Sequence, residues 1–166
     1  MNSPFNRAVY TVNKLMLFAC VSMYFGTGWS LVLFSFPVAD KLTTANYYLQ
    51  FVPQVTAATA FFKVMTCVMM VNAGILIIEE WRSHLKWFGI GVLLAIIIAT
   101  ALTIIYIFPY NEKMAAGITS ETELKDLLSK WMRLNVIRVS LWTIQWLLVA
   151  IYFLFKMKNK TTAYAS

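Results

Sequence analysis

Four apolar stretches, each long enough to cross a bilayer as a helix, limit what this chain can fold into. They occupy residues 15–36, 57–78, 87–108 and 134–155. A hydrocarbon core of about 30 Å needs roughly 20 apolar residues in an α-helix. With 60% hydrophobic residues in a chain of 166, a water-soluble globular domain is not expected. The sequence therefore predicts an all-α fold, with residues 1–166 forming one integral membrane four-helix bundle in the lipid bilayer.

The basic residues predict how the bundle is oriented. The net charge is +7, but no basic stripe with interleaved aromatic residues exists, so we expect no nucleic acid partner. Half of the 14 basic residues lie before the first span, between the second and third, or after the fourth: Arg7, Lys14, Arg82, Lys86, Lys156, Lys158 and Lys160. The positive-inside rule then places both termini in the cytoplasm. We expect a multi-pass protein of the bacterial inner membrane.

Several kinds of metal and haem site lack ligands in this sequence. His84 is the only histidine and lies outside the spans, which argues against bis-histidine haem ligation within one subunit. No predicted span contains Asp or Glu, so a di-iron carboxylate site is not expected. Glu80 and His84, four residues apart, are expected to be a solvated surface pair. Cys20 and Cys67 lack zinc-type spacing and are expected to be small core residues.

The fourth span carries polar residues within its apolar sequence. Ser120 and Glu123 have the spacing of a capping box, which predicts a helix starting near Glu121. Continued to Phe155, this helix would be about 50 Å long and would extend beyond the bilayer. One face repeats at intervals of four and three residues, and it consists of Leu124, Leu128, Trp131, Asn135, Arg138, Trp142 and Gln145.

Arg138 is the most informative residue of that face. An arginine inside a span costs several kcal/mol unless it faces the bundle interior, a partner or water. Snorkelling to the interface is one interpretation. The other is an internal pocket for an anionic guest such as a phenolate, enolate, quinol or lipid phosphate, with Lys63 as a second cation. Tyr24 and Trp29 of the first span would line the same cavity.

Small residues of the first span suggest a different role. Ser22, Gly26 and Ser30 recur every four residues, which is typical of a ridge that another helix can approach closely. The ridge fits packing within the bundle. It also fits docking to a protein partner or to a second copy of the chain.

Three motifs resemble the anthrone-oxygenase-like family of small four-helix membrane proteins: "GTGWSLVLFSFP", "FPYNEKM" and "WMRLNVIR". The resemblance implies oxidation of a lipophilic anthrone-like phenol or ketone by molecular oxygen, without a bound cofactor or metal. It implies catalytic roles for Asn111, Asn135 and Arg138. Together with the helical pattern, it indicates a substrate-binding set of Trp131, Trp142, Gln145, Trp29 and Lys63.

The sequence leaves the function open between classes. The first hypothesis is a cofactor-free membrane oxygenase or related redox enzyme, whose general base would be Tyr106, Tyr110 or Lys63. The second is a non-enzymatic accessory or assembly subunit of a larger membrane complex. A small transporter or channel is a weaker third hypothesis, because no inverted repeat is visible.

Overall fold

The computed structural model describes residues 4–165, and the side chains of residues 6–158. Every regular element in this part of the chain is helical, and no strand occurs between residues 4 and 165. In chain order, the elements are α1 (Pro4–Ser30), a π-helical turn (Leu31–Ser35), α2 (Phe36–Ala39), α3 (Tyr47–Glu79), α4 (Lys86–Leu102), a second π-helical turn (Thr103–Ile107), α5 (Phe108–Ala116) and α6 (Glu121–Ala165).

These elements form four rods, each long and apolar enough to cross a membrane. The first rod runs from α1 through its π turn to α2, and the third runs from α4 through its π turn to α5. Each rod packs against its neighbours in the order α1, α3, α4 and α6, and α6 closes the ring against α1. The predicted all-α membrane bundle is confirmed. At 45 residues, α6 is about 68 Å long and exceeds the hydrocarbon core, as predicted.

The first and third predicted spans end at residues 36 and 108, just before Pro37 and Pro109, where proline is expected to stop a helix. This expected helix end is wrong at both positions, because the two π-helical turns let both rods continue. The Phe36 N–H bonds to the Leu31 carbonyl, and the Phe108 N–H bonds to the Thr103 carbonyl, each five residues back. A proline has no N–H and its ring clashes with the carbonyl four residues earlier. The wider turn just before each proline accommodates both effects.

The two rods with π turns share a sequence repeat. "FPVADKL" begins at Phe36 and "FPYNEKM" begins at Phe108, 72 residues later. Each copy follows a π turn, and each ends on a buried apolar residue, Leu42 or Met114. The first and third rods therefore have the same local structure, a π turn directly before a Phe-Pro dipeptide.

The α3 helix also begins earlier than predicted, at Tyr47 instead of Ala57, and contains Pro53. The physical reason is the burial of Tyr47, whose hydroxyl donates to the Met114 carbonyl at 3.2 Å and accepts from the Ile118 N–H at 2.6 Å. Glu121 adds a second link by accepting from the backbone N–H and hydroxyl of Thr44. These bonds join the two connections, residues 40–46 and 117–120, into one closed end of the bundle, here called the loop end.

The opposite end, called the turn end, contains the tight connection of residues 80–85. Glu80 is only 4% exposed there and accepts hydrogen bonds from Tyr152 and Lys156 of α6. Lys14 of α1 pairs with Glu79. The predicted solvated pair of Glu80 and His84 is therefore wrong, because α6 supplies the partners of Glu80 and leaves His84 exposed.

The apolar interior is divided into two clusters. The turn-end core includes Leu17, Val21, Tyr24, Met69, Ala73, Leu76, Val92, Ile96, Trp142, Val149 and Tyr152. The loop-end core comprises Leu42, Tyr47, Ile107, Met114, Ile118, Leu124, Leu127, Leu128 and Trp131. Because the two clusters are separate, the bundle is well packed at both ends and less filled between them.

Close approach of α1 to α6 depends on Gly28, which the sequence analysis did not select. A β-carbon at Gly28 would lie 2.7 Å from the Trp142 ring and 2.9 Å from Val139. A β-carbon at Gly26 would meet nothing within 4 Å. The predicted ridge of small residues therefore does not carry the helix contact at Gly26, which faces the surroundings.

We expect Gly28→Ala to destabilise the bundle by about 1–3 kcal/mol, because the added methyl group overpacks the contact with Trp142. Gly26→Ala is the matched control and should be neutral or slightly stabilising, since alanine is the better helix former. Thermal unfolding in detergent measures both. Equal midpoints for the two variants would contradict the packing described.

Candidate functional site

A cavity of about 530 Å³ lies between the two cores and is lined by all four rods. Both π-helical turns contribute to its wall, through Leu31 and Ser35 on one side and Thr103 and Ile107 on the other. π-Helical turns are rare and recur at functional sites. The cavity is therefore the candidate site.

Arg138 of α6 brings a cation to the cavity wall. Its guanidinium carbon lies 4.7 Å from the centroid of the Trp142 ring, and one terminal nitrogen donates to Asn135 Oδ1. Stacking on an indole and a hydrogen bond to an amide fix its position without an acidic partner. The Arg138 Nε atom is buried and has no hydrogen-bond partner among the described residues. This donor is therefore unpaired within the described part of the chain.

A chain of hydrogen bonds supports Arg138 from behind. Asn135 Nδ2 donates to the Trp131 carbonyl at 2.8 Å, and Trp131 Nε1 donates to Asn111 Oδ1 at 2.8 Å. These bonds fix the orientation of both side-chain amides. The Trp131 indole must donate to the oxygen of Asn111, and the Arg138 guanidinium must donate to the oxygen of Asn135. Asn111 of α5 is thus connected to Arg138 of α6 through two intermediate residues, the Asn135 side chain and the backbone carbonyl and indole of Trp131.

Gln145 lies two turns further along α6 and is completely buried, yet its amide nitrogen and oxygen both lack partners within the described chain. It lines the cavity, as Ile96 and Ala99 of α4 also do. A buried amide left unpaired is unfavourable by about 1–3 kcal/mol. The arrangement therefore suits a ligand, or water, that both donates and accepts a hydrogen bond here.

Lys63 of α3 brings a second cation to the same cavity, and its ammonium group lies 5.6 Å from the centroid of the Phe108 ring. No Asp, Glu or His side chain lines the cavity within the described part of the chain. The two positive charges are thus uncompensated by any carboxylate of the cavity wall. Such an environment favours a guest that carries negative charge.

The structure brings most of the predicted site residues together. Six of the eight line the cavity: Asn111, Trp131, Arg138, Trp142, Gln145 and Lys63. Asn135 does not line it but is bonded to Arg138 directly. Trp29 is 38% exposed, lies outside the cavity lining, and donates to the Thr143 hydroxyl.

Other residues of the cavity differ from what the sequence indicated. Tyr24 lines it as expected, with its hydroxyl within bonding distance of the Phe62 carbonyl and the Thr66 hydroxyl. Cys67 is exposed and lines the cavity, so its predicted place in the core is wrong, whereas Cys20 is buried. Neither π-helical turn was predicted. The repeated Phe-Pro dipeptide was the signal that could have located both.

The fold and site together define a class: a membrane-embedded four-helix protein with a cationic, aromatic-lined cavity between its helices. Residues 49–148 match the anthrone oxygenase family, and the chain belongs to that family. The matched region contains every predicted site residue except Trp29. No curated protein and no solved structure matches the chain.

Two substitutions of buried amides on α6, at Gln145 and at Asn135, are expected to change the thermal stability in opposite directions. We expect Gln145→Leu to raise the thermal unfolding midpoint of the ligand-free protein, because it removes two unpaired polar atoms from a buried position. The matched variant Asn135→Leu should lower the midpoint, since the Asn135 amide is bonded on both sides. Destabilisation by Gln145→Leu would show that Gln145 is already satisfied in the resting protein.

Proposed function

We propose that this protein is a membrane-embedded oxygenase that binds the ionised form of a flat, lipophilic phenol or ketone in the cavity. The observation that carries the proposal is Arg138, which is held between Asn135 and Trp142 and faces a cavity without carboxylates. Membership in the anthrone oxygenase family supports the same chemistry.

The substrate class follows from the wall of the cavity. An aromatic ring can lie against the Trp131 and Trp142 indoles, and its ionised oxygen can accept a hydrogen bond from the Arg138 guanidinium group. A second substituent that both donates and accepts would satisfy Gln145. A polycyclic anthrone with hydroxyl groups has these features.

Formation of the enolate requires a base within reach. Of the three residues considered from the sequence, Tyr106 and Tyr110 do not line the cavity and Lys63 does. To act as this base, the Lys63 ammonium group must first release a proton to water, and the resulting amine then accepts one from the methylene carbon next to the ring system. Arg138 stabilises the negative charge that develops on the oxygen, as an oxyanion hole does.

Molecular oxygen is the oxidant in this proposal. The enolate carbon forms a bond to oxygen, and the proton held by Lys63 goes to the distal oxygen, which gives a hydroperoxide. Loss of the second methylene proton and of hydroxide breaks the O–O bond and leaves a ketone and water. The balance is R₂CH₂ + O₂ → R₂C=O + H₂O, so no external reductant is consumed. Cofactor independence remains a prediction.

A second candidate function, an accessory or assembly subunit, is favoured by the exposed Gly26. Its face of α1 leaves room for a helix from outside the chain. In that case Gly26→Leu releases a stoichiometric protein partner. The oxygenase proposal predicts that the same substitution leaves turnover by the purified protein unchanged.

Arg138→Gln tests the proposed activity. In lipid vesicles supplied with anthrone, we expect kcat to fall about a hundredfold to a thousandfold, because one oxyanion donor contributes that much in comparable sites. Arg138→Lys should be intermediate, since it retains the charge but not the planar stack on Trp142. Oxygen uptake, corrected with protein-free vesicles, gives the rates, and unfolding midpoints verify folding.

Isotopically heavy molecular oxygen provides the second readout. The new carbonyl oxygen should come from the gas and not from water. Equal uptake by Arg138→Gln and the unmodified protein, or a carbonyl oxygen derived from water, would contradict the proposal.

A further inference from the structure

The two ends of the bundle are closed to water-borne ligands. Trp131 and Ile107 border the cavity and belong to the loop-end core, which continues to Leu42 and Ile118 in the connections. Trp142 and Tyr24 border it from the turn-end core. A ligand moving along the bundle axis would have to displace one of these packed clusters.

The side of the bundle is different between the first rod and α3. The α1 helix packs against α3, but the π turn and α2 that follow it do not pack closely against α3. Cavity-lining residues on both sides of this seam are exposed: Thr27, Ser30 and Ser35 on the first rod, and Gln54 and Ala58 on α3. They are small or polar, and no bulky apolar side chain is among them.

The neighbouring seam between α3 and the third rod is obstructed by comparison. Lys63 extends across it to the Phe108 ring of α5, and α5 packs against α3 beyond that point. An uncharged apolar molecule entering through this seam would have to pass the charged Lys63 ammonium group, which makes the seam the less favourable passage. The open seam is therefore the one on the α1 side.

We propose that ligands enter and leave the cavity sideways from the bilayer, through a portal rimmed by Ser30, Ser35, Gln54 and Ala58. The portal fits an uncharged, flat and lipophilic molecule, because an ionised one would not dissolve in the hydrocarbon core. Ionisation then takes place inside, beside Arg138. This inference concerns access and holds whatever reaction the cavity performs, so it does not depend on the oxygenase proposal.

The test uses thiol labelling in lipid vesicles and needs no substrate. Cys20 and Cys67 are replaced by alanine, and Ala99→Cys, a buried position that lines the cavity, supplies the single reactive thiol. N-ethylmaleimide, a small uncharged reagent, serves as the probe, and its reaction rate is compared with that of a charged, water-soluble thiol reagent. The portal predicts a much faster reaction with the uncharged reagent.

Bulky substitutions then locate the entrance. Ala58→Trp should slow labelling by N-ethylmaleimide about tenfold or more, because the indole obstructs the rim of the passage. Ala60→Trp is the matched control, since Ala60 is also exposed on α3 but does not line the cavity, and its rate should be unchanged. Ile104→Trp, on the obstructed seam, should also have no effect.

Other results would overturn the portal. Equal rates with the charged reagent would mean that the cavity opens to water, and slowing by Ile104→Trp instead of Ala58→Trp would place the entrance between α3 and the third rod. Because misfolding would increase labelling, a slower rate in Ala58→Trp cannot come from loss of the fold. Ser30→Trp obstructs the portal from the first rod and should slow labelling in the same way.

Discussion

A guanidinium group inside a bilayer needs a partner, and no carboxylate of the described cavity wall supplies one to Arg138. Arg138 is fixed by Trp142 and Asn135, neither of which neutralises its charge. The cavity adds Lys63 instead of a carboxylate. The chain does contain a buried carboxylate, Glu80, and a half-buried one, Glu79, but both are paired with lysines at the turn end. Charge compensation is thus complete there and left open at the cavity.

The cavity itself exists because the bundle is packed in two parts. Each core closes one end, and the π-helical turns keep two of the rods from filling the middle. A continuous core would bury more apolar surface and make the bundle more stable. The unfilled space between the cores is therefore not explained by stability alone. Gln145 supports the same conclusion. If this buried position served stability alone, an apolar side chain would be expected there instead of an unpaired amide.

The sequence predicted the parts that follow from periodicity and hydropathy. The four spans, the start of α6 at Glu121, and the common face of Trp131, Arg138 and Trp142 needed only helical spacing. It failed where local rules compete with tertiary packing. Pro37 and Pro109 were expected to end their helices, but the π-helical turns before them let the helices continue. Glu80 was assigned to solvent because its hydrogen-bond partners lie 72 and 76 residues away in the sequence. Gly28 was overlooked because only the neighbouring helix reveals its role.

Native mass spectrometry of the detergent-purified protein tests the central claim, that the uncompensated cavity holds an acidic aromatic molecule. The account predicts a small aromatic or quinone-like adduct on the unmodified protein, released by mild activation and missing from Arg138→Ala. An Arg138→Ala variant that folds normally and retains the adduct would contradict the account. So would an unmodified protein that carries only ordinary phospholipid or a second protein chain.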